Sequence, residues 1–220
     1  MKSTITMTAL LVGALALSAP IWKVKFDWKP VKGASAEYTM TNSHEADLGG
    51  GLVDLVITWD STITVDKVDG KRVWFEVDNE EPMVEIDGGP ADGIHVQVPD
   101  ETVEYGLDFK FYPASDSDGR QSMGIYAGFL LPKGVLREGQ TYEIGGMKAK
   151  YIGVEKVKKW TTHKFTFEHR TSKSDADLWS EGTIWLSTED LTIVRRKVTL
   201  HNIDMGMGPE EVKNELVRTK

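Results

Sequence analysis

From Leu52 to Asp66, apolar side chains fall on alternate residues. Val53, Leu55, Ile57, Trp59, Ile63 and Val65 share one set of positions, with Ser61 among them. Asp54, Thr58, Asp60, Thr62, Thr64 and Asp66 occupy the other, together with Val56. Side chains along a strand alternate between its two faces, so this spacing predicts a strand buried on one side and wet on the other. A run this long can serve two sheets or bend across a barrel. The same period returns in Val73–Asp78, Met147–Val157 and Trp160–Arg170. Thr183–Leu186 and Leu191–Ile203 predict a further hairpin around Ser187-Thr188-Glu189-Asp190.

The turn after Asp66 can be worked out from the pattern. A two-residue loop at Asp69-Gly70 would set Val65 opposite Trp74 and Ile63 opposite Glu76, apolar against polar. A three-residue loop, Val68-Asp69-Gly70, sets Val65 opposite Val73 and Ile63 opposite Phe75. Slipping the register by one residue turns every side chain over, so the pattern favours the longer loop, with Gly70 in the left-handed position of a bulge.

Only the C-terminus reads as helical. Gly208 followed by Pro209-Glu210-Glu211 resembles a helix start, with proline in the first turn and acidic residues after it, and Val212 and Leu216 would share a face. Pro113–Gln121, rich in Ala, Ser, Asp and Gly, reads as a loop. The expected fold class is all-β: a curved antiparallel sheet, or an open or incomplete β-barrel, with a short C-terminal helix.

The N-terminus predicts export. Met1-Lys2 precedes an apolar run from Ile5 to Leu17, with small residues at Ala16, Ser18 and Ala19. That is the layout of a cleaved signal peptide, and the run is too short for a lasting transmembrane helix. Residues 1–18 would be removed, leaving a mature chain from Ala19, and residues 19–220 would form a single β-rich domain, periplasmic or extracellular. An uncleaved membrane anchor is the alternative. The chain has no cysteine, which excludes a lipoprotein anchor, thiol catalysis and thiolate metal sites.

The net charge of −8 argues against generic nucleic-acid binding. Charge is also segregated. Residues 76–118 hold thirteen acidic side chains and one lysine, whereas 147–170 hold six lysines and one arginine against two glutamates. A basic sheet face can hold an anionic ligand or lipid headgroups, but lysines also keep a solvated sheet soluble and protect its edges.

No motif names a reaction. There is no Gly-x-Ser-x-Gly elbow. Glu80-Glu81 and Glu189-Asp190 fall in expected turns, where carboxylates are ordinarily solvated. Asp116-Ser117-Asp118-Gly119 hints at a calcium loop, but Ala114 and Ile125 stand where that loop needs ligands. His163 and His169 share a strand face about 20 Å apart, too far for one zinc ion. The reading therefore assigns no catalytic residue, no metal and no cofactor.

Two segments carry a resemblance. Leu131-Pro132-Lys133-Gly134-Val135-Leu136-Arg137-Glu138-Gly139-Gln140-Thr141-Tyr142 looks like an entry into a strand. Gly182-Thr183-Ile184-Trp185-Leu186, the turn, and Leu191-Thr192-Ile193-Val194-Arg195-Arg196 look like a hairpin that usually carries glycine in the turn, where Glu189-Asp190-Leu191 stands here. Over residues 125–204 these resemble exported bacterial β-rich families and, more distantly, the periplasmic lipoprotein carriers, whose incomplete barrel wraps an apolar cavity. The resemblance implies an exported, non-catalytic binding or cell-envelope protein with a lipid or other apolar ligand. Phe165 and Phe167 would line its interior, with Lys148, Lys150 and Lys158 outside. The alternatives are a structural or protein-interaction module with a filled core, and a hydrolase whose site carries no recognisable motif. No transmembrane span is expected once the signal is cleaved; the sequence is silent on oligomeric state.

Overall fold

The alternating segments become the long strands of one antiparallel sheet. A computed structural model describes residues 23–47, 50–91, 93–112, 124–170, 178–204 and 209–220. The expected signal peptide, the Pro113–Gln121 loop with its Asp116-Ser117-Asp118-Gly119 sequence, and Gly208 lie outside the described residues.

In chain order the strands are β1 (Lys23–Lys25), β2 (Ser35–Asp47), β3 (Leu52–Asp69), β4 (Arg72–Asn79), β5 (Met83–Ile86), β6 (Gly89–Pro90), β7 (Glu101–Gly106) and β8 (Phe111–Tyr112). The second half supplies β9 (Val135–Arg137), β10 (Thr141–Ile144), β11 (Met147–Val157), β12 (Trp160–Arg170), β13 (Trp179–Ser187), β14 (Ile193–Asp204) and β15 (Pro209–Arg218). The main sheet runs β10-β11-β12-β13-β14-β15-β2-β3-β4-β7-β8, with β5 against β3 and β6 against β5; β1 and β9 form a separate pair. Its ends, β10 and β8, do not meet, so the sheet is not closed into a barrel. Bulges at Asp66, Ile152, Val194 and Asn202 interrupt the registers and bend the strands.

No helix occurs among the described residues. The expected C-terminal helix is instead strand β15, held between β14 and β2. Val212 and Leu216 are four residues apart, a spacing that fits both a helix and a period of two. Two flanking strands decide between them, because β15 satisfies its backbone on both sides.

The β3–β4 hairpin also corrects the expected register. Val65 faces Phe75 and Ile63 faces Val77, while Val68 faces Val73. The turn is the two-residue loop Gly70-Lys71, with Gly70 at φ 59°. Such a loop alone would oppose the apolar face with the polar one. The extra residue at Asp66 restores apolar against apolar. The matching of faces is as expected; the bulge has moved from the turn into the strand.

The sheet's inner face is filled by aromatic residues and by a buried connection, Ile125 to Leu131. Phe165 lies against Phe26, Phe129 and Tyr151 at centroid distances of 5.3, 5.2 and 5.0 Å. The buried connection keeps its backbone paired: the Ile125 N–H donates to the Tyr105 hydroxyl, the Leu131 N–H to the Asp108 carbonyl at 2.7 Å, and the Ser180 hydroxyl to the Ala127 carbonyl at 2.7 Å. One glycine is obligatory here. At Gly182 a Cβ would collide with the backbone of Lys197 and Val198, so the close approach of β13 and β14 requires its absence.

Candidate functional site

The filling is incomplete at one end. Before β2, residues 28–34 cross the open end of the inner face. This strap is tied down by Gly33 N–H to the Val65 carbonyl at 2.8 Å and by Val65 N–H to the Ala34 carbonyl at 2.9 Å. Beneath it lies a cavity of about 210 Å³ walled by Trp28, Ala36, Ile63, Val65, Phe75 and Tyr126. An engineered apolar cavity of about 150 Å³ stays dry and binds benzene, so this space suits one ring or a short chain.

Each wall follows from local sequence. Ala36 faces Ile63 across β2 and β3, and its small side chain leaves the space open. Val65 faces Phe75 because of the Asp66 bulge. Trp28 stacks on Phe75 at 6.0 Å with a 17° interplanar angle, and meets Phe109 edge-on at 4.7 Å. Val31, 67% exposed, stands at the rim of the strap.

The other end of the cavity is polar. The β13–β14 loop brings Asp190 and Thr192 there, and the end of β15 brings Arg218, opposite Tyr38 of β2. The Thr192 hydroxyl donates to Asp190 at 2.7 Å and accepts from Arg218 Nη1 at 2.8 Å. The Thr192 N–H adds a second bond to Asp190 at 3.1 Å. Asp190 and Arg218 themselves are 3.8 Å apart, longer than a charge-assisted hydrogen bond. Burial acts to raise the Asp190 carboxyl, but the bonds from Thr192, with Ser187 and Arg218, hold it below the usual carboxylate range. Burial pushes the Tyr38 and Tyr126 phenols above their ordinary value, so both are neutral at physiological pH. In the same loop Leu191 is at φ 59°, a left-handed conformation in a turn where the resembled hairpin usually carries glycine. Its side chain is buried in the core, which keeps the loop in place.

Phe165 and Phe167 are both buried. Phe165 is packed among rings and lines none of the hollows described here, whereas Phe167 lies under an open trough of about 660 Å³ on the outer face of β12–β15. That trough carries Thr166, Thr183, Lys197, Thr199 and Glu215, a polar surface. Lys148, Lys150 and Lys158 are exposed. His163 is buried beside Tyr151, whose hydroxyl lies 3.0 Å from Nδ1, and burial pushes its pKa down to about 4. Among the described residues, no three His, Asp or Glu side chains converge in a way that could hold a metal ion, and no helix is long and apolar enough to cross a membrane.

The polar end was not visible as a site in the sequence. Asp190 reads as a solvated turn carboxylate, and Arg218 follows a segment that reads as helical. The usable signal was the alternation Val212, Asn214, Leu216, Arg218, which places Arg218 on the inner face once β15 is recognised as a strand.

No protein-family model matches the chain, and no curated protein matches it significantly. Among solved structures, one titled "Lipid-protein interactions in lipovitellin" is similar at a TM-score of 0.46 and 10% sequence identity, covering 86% of this chain and 25% of that one. The chain thus spans about a quarter of the length of that neighbour.

Proposed function

We propose that this is an exported, non-catalytic binding protein that holds a small apolar ligand beneath the strap. The observation that carries the reading is the cavity of about 210 Å³ under the strap, walled on one side by Trp28, Ala36, Ile63, Val65, Phe75 and Tyr126. Interiors pack as densely as organic crystals, so an unfilled apolar space lowers stability unless something occupies it. Export rests on the apolar run from Ile5 to Leu17. Each buried CH₂ of a ligand contributes about 0.8 kcal/mol, so a short chain binds weakly but measurably without a polar contact.

The test is calorimetric titration of 1-octanol into the wild type and into Ala36→Phe, which places a ring in the space. The expected result is saturable binding to the wild type and its loss in a variant that unfolds at the same temperature or higher. Equal binding to both would contradict the proposal.

A further inference from the structure

We propose that the ligand carries an anionic head, a carboxylate in its simplest form, and that Arg218 receives it at the polar end of the cavity. This deepens the cavity reading and rests on it. The lining carries two cations, Lys29 and Arg218, against the single carboxylate of Asp190, in a chain whose net charge is −8. The tyrosines there are uncharged, so the lining itself carries one positive charge in excess, with Asp27 beside Lys29 at its mouth.

Arg218 is free to take a second anion. Its Nε donates to the Lys220 carbonyl at 2.9 Å and its Nη1 to Thr192 at 2.8 Å. Among the described residues, Nη2 makes no hydrogen bond. Asp190 does not depend on Arg218, because Thr192 supplies it with two donors at 2.7 and 3.1 Å. The 3.8 Å separation of the two charges fits that independence. A planar guanidinium with an open edge matches a carboxylate geometrically and electrostatically. Lys29 lies at 3.5 Å from Asp27, both largely exposed, so it adds field at the mouth more than a fixed contact. A carboxylate on an apolar body short enough for about 210 Å³ is then the ligand class, either a short-chain acid or an aromatic acid.

The experiment is calorimetric titration of the wild type with octanoate, 1-octanol and octylamine at pH 7, repeated on Arg218→Gln. Octanoate is expected to bind at least tenfold more tightly than either of the others. Arg218→Gln should abolish that preference, so that octanoate binds no more tightly than octanol to the variant. If octanoate binds no better than octanol, the head-group assignment falls and the cavity reading stands. Tightest binding of octylamine would make Asp190 the recognition group and overturn the proposal. Binding of none of the three would remove the cavity reading itself. Because the head groups are compared on the wild type, the proposal can fail even if the variant does not fold. An octanoate preference that persists in a folded Arg218→Gln overturns the role of Arg218.

Discussion

The buried guanidinium of Arg196 on β14 donates to the side-chain oxygen of Asn214 on the neighbouring β15, and Asn214 in turn donates to Asn42 on β2. Arg196 is 4% exposed, its Nη1 donates to the Gly124 carbonyl at 3.4 Å, and its Nε has no hydrogen bond. Among the described residues, no carboxylate pairs with it. Burial pushes its pKa down to about 10, which amounts to a cost on the order of 3 kcal/mol for keeping the charge inside. Replacing it with an apolar side chain of similar length removes that cost but leaves the Asn214 side-chain oxygen without its donor, at about 1 kcal/mol or more, whereas the Gly124 carbonyl still accepts from the Ala127 N–H at 3.0 Å. Arg196→Met is therefore expected to be neutral or stabilising by up to about 2 kcal/mol in urea unfolding at pH 7. A loss above 1 kcal/mol would show that the hydrogen bonds outweigh the buried charge.

Gly70 tests the corrected hairpin. It sits at φ 59° with open space where a Cβ would go, so a substitution there meets only conformational strain. Gly70→Ala should destabilise by about 1 kcal/mol, and Gly70→Asn by less, since asparagine tolerates the left-handed region. Equal stability of Gly70→Ala and wild type would mean the turn adopts another conformation.

His163 makes stability depend on pH. Its folded pKa is lowered to about 4 by burial, while the unfolded value is near 6.5. Between these values the unfolded chain binds a proton that the folded one refuses. This contribution is therefore absent at pH 7, grows as pH falls through 6.5, and levels off below 4. Allowing for residual solvent screening, it costs about 2 kcal/mol at pH 4. The wild type should lose about that much more stability than His163→Gln between pH 7 and pH 4. Parallel pH profiles would place a solvated imidazole at this position.

The sequence made the strands legible because a period of two over ten or more residues has few other solutions. Met147–Val157 and Trp160–Arg170 are β11 and β12 with the expected boundaries. Bulges were not legible. Asp66 is an ordinary polar residue on the wet face of β3, and only the pairing with β4 shows that one residue there is extra. Val212 and Leu216 failed for a different reason, since four is a multiple of two and also close to one helical turn. The cavity was beyond reach, because it depends on Trp28, Ala36 and Tyr126, which come from segments far apart in the chain and outside the strongly alternating runs.

The most direct measurement of ligand binding under the strap is the ¹H–¹⁵N spectrum of the seven tryptophan indoles during titration with p-xylene. The Trp28 indole, which lines the cavity, should shift progressively to saturation while those of Trp160 and Trp179 stay still, and Ala36→Phe should abolish the shift. A Trp28 signal that does not move in the wild type, or that moves equally in Ala36→Phe, would contradict binding in the cavity.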